Sequence, residues 1–103
     1  MSAELIWRPQ ALEDLRDIYV SIGLDNEEAA ERVYLAIEIR VEMLSDFPRM
    51  GLRRPEIAAT ARILVERPYL ILYELHPDTD EGTTATIEIV RIVDGRRELS
   101  RIF

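Results

Sequence analysis

The feature that most constrains this 103-residue chain is a change of hydrophobic period partway along it. In the first half, Leu12, Leu15, Ile18, Tyr19 and Ile22 recur at three- and four-residue spacing, which places them on one side of an amphipathic helix. Pro9 suits its first turn and Gly23 its C-terminal stop. A second helix starts behind Asp25 or Asn26 as cap, with Glu27 and Glu28 in the turn where the helix dipole favours negative charge. Its apolar stripe is Ala30, Val33, Ile37, Val41 and Leu44, and Pro48 ends it. Helices joined by so short a link pack antiparallel, as a hairpin. Residues 49–60 hold Gly51, Pro55 and two adjacent arginines without helical period, and read as a loop with room for one helical turn. Beyond it, residues 61–66, 69–76 and 84–93 are rich in Ile, Leu, Val, Tyr and Thr, and are separated by turn residues. They read as strands, as does the short apolar run 3–7 that Arg8 and Pro9 halt. Three strands with short connections pair as an antiparallel meander, and the hairpin must cover one face of that sheet so that both apolar surfaces are buried. The expected class is α+β: a strand, an antiparallel helix hairpin, then a three-stranded antiparallel meander, with a basic tail after Asp94-Gly95.

Composition narrows the function. An apolar fraction of 48% fills one modest core, so residues 1–103 are expected to be a single domain. The longest apolar runs, such as 69–73, fall far short of the roughly 20 residues a membrane helix needs. The N-terminus lacks a basic-then-apolar signal, so a soluble, cytoplasmic protein without membrane contact is expected. There is no cysteine, which excludes disulfides, thiol nucleophiles and zinc-thiolate sites. The net charge of -7 lies in residues 1–48, where eleven acids face four arginines, whereas the remainder balances nine against nine. Every basic residue is arginine, a planar fork able to grip carboxylate or phosphate bidentately, although GC-rich coding is the plainer source of that usage.

Four phrases in order along the chain carry a family resemblance: Arg8-Pro9-Gln10-Ala11-Leu12-Glu13-Asp14-Leu15, Asp46-Phe47-Pro48-Arg49-Met50-Gly51, Pro68-Tyr69-Leu70-Ile71-Leu72-Tyr73, and Ile89-Val90-Arg91-Ile92-Val93-Asp94-Gly95-Arg96-Arg97. With the element order above, the chain resembles the ParE/RelE toxin superfamily of type II toxin-antitoxin systems, often tied to plasmid stabilisation, and lies nearer ParE than RelE. The resemblance implies a RelE/ParE-like fold and a toxin without cofactor or metal. RelE-like members cut ribosome-bound mRNA with basic side chains and a tail tyrosine, whereas ParE-like members inhibit DNA gyrase with no attributed catalysis.

The residues favour the second branch. Cleavage at a ribose 2′-hydroxyl needs a proton acceptor, a proton donor and cations for the developing charge. The chain has no lysine, and its one histidine, His76, precedes Pro77 beside an acidic loop and reads as an exposed turn residue. Where RelE-like tails carry tyrosine, this chain has Phe103, which cannot transfer a proton and whose carboxylate, were it terminal, would repel a phosphate. No catalytic residue is assigned. The acidic balance also argues against a nucleic-acid surface, though an arginine-rich second half leaves a local basic face open. Arg91, Arg96, Arg97 and Arg101 are the candidate target-binding residues, Arg96 and Arg97 mainly by resemblance. Arg91 has an equal alternative as partner of Glu88, Glu74 or Glu66, because a cation inside an apolar strand needs pairing. Arg53, Arg54, Arg62 and Arg67 read as ordinary loop and strand-edge charges, the four tyrosines as core, and Trp7 as filling beneath the helices.

The resemblance further implies a ParD-like antitoxin whose C-terminal segment folds as it wraps the toxin, in a heterotetramer or larger complex that touches DNA only through the antitoxin. Because the hairpin carries the negative charge, the antitoxin is expected to bring Arg or Lys to Glu13, Asp17, Glu31 or Glu38. Three functions from different classes follow: a gyrase-inhibiting toxin, a ribosome-dependent endoribonuclease, or a non-toxic module that still binds its antitoxin.

Overall fold

The computed structural model describes residues 3–96. The elements are β1 (Glu4–Trp7), α1 (Pro9–Gly23), α2 (Glu27–Met43), β2 (Leu52–Arg53), β3 (Arg62–Glu66), β4 (Tyr69–His76) and β5 (Thr86–Asp94). Pro9 occupies the first turn of α1, where a missing N–H costs nothing. Asn26 is the cap of α2, its side chain accepting from Ala29 N at 3.0 Å. Gly23 ends α1 without a left-handed turn: Leu24 stays right-handed, and the Asp25 and Asn26 amides return to Ile22 O. A Cβ at Gly23 would meet Ala30 Cβ at 3.7 Å across the hairpin, an ordinary contact, so the helices pack closely here without requiring glycine.

The sheet has the order β1-β5-β4-β3-β2. The expected meander β3-β4-β5 is antiparallel throughout, and β1 lies parallel to β5 with Trp7 opposite Ile89. The segment read as loop at 49–60 contributes a fifth, two-residue strand, Leu52 opposite Ile63 and Arg53 opposite Arg62. A pairing so brief gives no period to detect in sequence. The register of β4 and β5 shifts between Leu72 and Tyr73, where Val90 is the residue left over.

Both helices lie on one face. Ala11 and Leu15 of α1 and Ile37 and Val41 of α2 pack with Leu64, Ile71, Tyr73, Leu75, Ile87 and Ile89 of the sheet. Each wholly buried Ile or Leu there contributes about 1.5–3 kcal/mol. A smaller cluster, Ile63, Leu72 and Val93 with Ile57 and Leu70, occupies the other side. Ala30, Ile37, Val41 and Leu44 of the α2 stripe are buried as their spacing predicts, with Val33 partly so, but Leu12 and Tyr19 of α1 are not: they stand 46% and 37% exposed, because Ala11, Asp14 and Leu15 take the inward face. No helix of the described residues is long and apolar enough to cross a membrane.

Candidate functional site

Trp7 is the last residue of β1 to pair with β5, after which the chain turns into α1. Beyond Ile89, β5 therefore loses its parallel neighbour, and its next edge amides need partners from elsewhere. Asp14 of α1 supplies one, its Oδ2 accepting Ile92 N at 3.0 Å. The same carboxylate takes Arg91 Nε at 2.7 Å and Nη2 at 3.0 Å, and Gln10 Nε2 at 3.2 Å. Asp14 is 8% exposed, so a carboxylate inside the helix's apolar face is tolerated because its oxygens are occupied. Its hydrogen bonds to Asp14 hold the Arg91 guanidinium more firmly protonated than an isolated one. Arg91 is thus paired, but with Asp14 rather than with Glu88, Glu74 or Glu66. The partner lies 77 residues back in the chain, beyond any local pattern.

This node floors a cleft of about 1170 Å³ between α1 and the free half of β5, rimmed by Asp17, Asp25, Tyr69, Asp94 and Arg96. Arg96 folds back on Asp94, with Nη2 at 2.6 Å from Oδ2, which raises the pKa of its guanidinium. Arg97 and Arg101, and Phe103 with them, lie outside the described residues. Of the four arginines expected to touch a target, the structure thus brings Arg91 and Arg96 into one cleft, each already held by a carboxylate. Tyr69, read as core, is mostly buried but also lines this cleft.

The four acids expected to meet an antitoxin are spread over the hairpin. Asp17 is on the cleft, and exposed Glu13 is close enough to Arg91 to add to the field that keeps it charged. Glu31 lines a second groove, of about 490 Å³, between the helices, where Leu12, Tyr19 and Leu35 stand exposed beside Arg16. The edge-on rings of Tyr19 and Tyr34, 5.7 Å apart, form its wall. Glu38, half-buried on α2, lines neither.

Most other arginines are spent internally. Arg53 binds Asp78 and Asp80 at 3.0 and 2.9 Å, and Arg49 donates to Thr79 O and Gly82 O. Arg62, read as a strand-edge charge, is 4% exposed and points at the same two aspartates, 3.9 and 3.5 Å away. The Arg53 hydrogen bond pulls the Asp80 carboxyl below its ordinary pKa. The acidic β4-β5 loop is therefore clamped onto residues 49–53. Arg54 pairs with Glu56, Arg40 approaches Glu66 at 3.7 Å, and Arg8 bridges Glu74 and Glu88. Arg16, Arg32 and Arg67 make no ion pair among the described residues. His76 ends β4, exposed as expected, with Nε2 at 3.2 Å from Glu88 Oε1.

Comparison with known proteins agrees with this architecture. Residues 5–99 match the family described as the ParE toxin of the type II toxin-antitoxin system parDE. Toxin RelE2 of Caulobacter vibrioides is 32% identical over 71 residues, 69% of this chain and 78% of that protein. Among solved structures, the chromosomal ParDE toxin-antitoxin system of P. aeruginosa superposes with a TM-score of 0.70 at 27% identity, over 90% of this chain and 96% of that one. The toxin-antitoxin complex RelBE2 of Mycobacterium tuberculosis gives 0.61 at 21%, over 91% and 99%, a likeness of fold.

Proposed function

Since the chain belongs to the ParE toxin family of type II toxin-antitoxin systems, we propose that it acts as a single-domain cytoplasmic toxin that inhibits DNA gyrase by binding it, without catalysis. One observation carries the reading. The arginines that the described residues place at the cleft are each committed to a carboxylate, Arg91 to Asp14 and Arg96 to Asp94. A guanidinium so engaged orients a surface for docking, but phosphoryl-transfer chemistry needs cations directed at the substrate. The chain's one imidazole, His76, belongs to the separate cluster with Glu88. Arg96, Arg97 and Arg101 are proposed to make the target contact, and Arg91, held by Asp14, to set the shape of β5.

A ParD-like antitoxin is proposed as the neutralising partner, in a heterotetramer or larger assembly that meets DNA only through the antitoxin. The exposed apolar groove of the hairpin suits an amphipathic helix, and Glu31 on that groove, with Asp17 on the neighbouring cleft, suits a segment carrying Arg or Lys.

A specific observation favours a second reading. Tyr69 lines the cleft with Arg91 and Arg96, so a phenol and two guanidiniums share one concavity, the donor set that a RelE-like endoribonuclease would use. A supercoiling assay with purified gyrase and an mRNA-cleavage assay on translating ribosomes separate the two. The proposal expects supercoiling to be blocked and restored by the antitoxin, with message left intact. Message cleavage that is lost in Tyr69→Phe, with gyrase unaffected, would overturn it, and inertness in both assays would leave the non-toxic module.

A further inference from the structure

Glu74 and Glu88 stand directly opposite each other on β4 and β5. Like charges so placed destabilise a sheet unless a cation lies between them. Arg8 supplies it, with Nη2 at 2.9 Å from Oε1 of each glutamate. Two residues along β4 from Glu74, on the same face, His76 brings Nε2 to 3.2 Å from that Glu88 oxygen. One nitrogen and one oxygen from each glutamate thus lie within 4.8 Å of one another. Thr60 Oγ1 donates to Glu74 Oε2 at 2.9 Å and so holds Oε1 toward the cluster.

We propose that Glu74, His76 and Glu88 form a site for a divalent transition-metal ion of the zinc class, which exchanges with the Arg8 guanidinium. The sequence suggests no metal, because the ligands are distributed over two strands without a recognisable spacing. Three features support the site. An imidazole with two carboxylates is a donor set that zinc and cobalt accept, leaving a fourth position for water. Ligand atoms about 2.0–2.2 Å from a tetrahedral ion stand about 3.3–3.6 Å from each other. The His76–Glu88 separation of 3.2 Å already lies close to that range, and a Glu74 oxygen lies within 4.8 Å of both. Charge completes the argument: Arg8 offsets one of two negative charges, whereas a divalent ion offsets both. Displacing Arg8 strands no buried cation, since its side chain is already 40% exposed. Thr60 orients a ligand carboxylate from behind, the role outer hydrogen-bond partners play at protein metal sites.

The test uses the full chain stripped with chelator and titrated with Co²⁺, reading the visible bands of a tetrahedral cobalt site and their loss on adding Zn²⁺. One equivalent is expected to bind. His76→Ala should weaken binding at least about tenfold, and Thr60→Val should weaken it by about tenfold, the range seen for outer-shell losses. Arg8→Gln, which removes the competing cation, should tighten it. If Arg8→Gln does not fold, the rise in wild-type melting temperature with Zn²⁺, absent in His76→Ala, decides the matter. No cobalt band, or binding unchanged in His76→Ala, would overturn the proposal and leave Arg8 as the cluster's sole cation.

Discussion

Asp14 offers the sharpest test of how this fold is held together. Its carboxylate stands at the point where α1 replaces β1 as the neighbour of β5, and it joins three partners: Ile92 N, the Arg91 guanidinium and Gln10. Asp14→Ala leaves the Ile92 amide without its acceptor, a loss of about 1–3 kcal/mol for a buried donor. It also removes both charge-assisted bonds from Arg91. That part is discounted because the Arg91 side chain is 27% exposed and can turn to water. Together the loss is about 3 kcal/mol, a large share of the roughly 5–15 kcal/mol that holds a domain folded. Asp14→Asn keeps an oxygen for Ile92 N and Arg91 Nε but loses the charge and sets an NH2 donor where Arg91 Nη2 and Gln10 Nε2 need an acceptor, so about 1–2 kcal/mol is expected. Arg91→Met leaves Ile92 N and Gln10 on the carboxylate but removes the cation paired with it, so a cost comparable with that of Asp14→Ala is expected. Urea unfolding followed by fluorescence of Trp7, the sole tryptophan and half-buried against the core, measures all three. Asp14→Ala should also melt more than about 10 °C lower in a chain of this size. A cost below about 1 kcal/mol for Asp14→Ala, or an equal cost for the Asn and Ala variants, would refute the assignment of Asp14 as acceptor for the orphaned strand edge.

The Tyr73 hydroxyl donates to Pro48 O at 2.8 Å and accepts Gly51 N at 2.9 Å, so Tyr73→Phe should cost about 1–3 kcal/mol by melting. Gly51→Ala should be at least as damaging, because its Cβ would fall 2.6 Å from the Tyr73 ring and 2.7 Å from Ile63 O. Burial raises the Tyr73 pKa, so its stabilising share is present below the unfolded tyrosine value, about 10, and is lost as pH climbs through the folded one. The wild type should accordingly lose stability at alkaline pH more steeply than Tyr73→Phe. Arg8 lowers the Glu88 pKa, so the Glu88 contribution is present above the unfolded glutamate value, about 4.3, and is lost as pH falls through the folded one. Arg8→Gln should flatten that acid limb by no more than about 1 kcal/mol, as suits a partly exposed pair. Charge reversal of Asp17 and Glu31 together should weaken a cognate antitoxin at least about tenfold in a titration, and unchanged affinity would remove the hairpin's acids from recognition.

Much of the fold was legible because it rests on local periodicity. The α2 stripe, a cap at Asp25 or Asn26, the position of Pro9 and the meander all follow from residues within a few places of one another. What escaped depends on distance along the chain. Nothing near Arg91 announces Asp14, and nothing near Glu74 announces Arg8, 66 residues earlier. Helix α1 misled for a related reason. Leu12 and Tyr19 keep apolar spacing, yet a carboxylate on the inward face turns the helix so that they border a groove. Of the candidate site, Arg91 was identifiable as a strand cation needing explanation, while Tyr69 was not separable from core, because a cleft-lining tyrosine and a buried one have the same sequence signature.

The charge pattern acquires a different meaning once partners are known. Counted along the chain, an arginine-rich second half suggests a basic face ready for phosphate. In space, Arg49, Arg53 and Arg62 hold the acidic loop, Arg54 holds Glu56, and Arg91 and Arg96 hold Asp14 and Asp94. A nucleic acid would have to break those pairs, and the affinity gained from each phosphate would be offset by the pair lost. The hairpin differs. Glu13, Asp17 and Glu31 are exposed there and make no ion pair among the described residues, so a partner that brings cations to them displaces only water and counterions. Among the described residues, these hairpin acids therefore suit a protein partner with basic side chains better than they suit a polyanion.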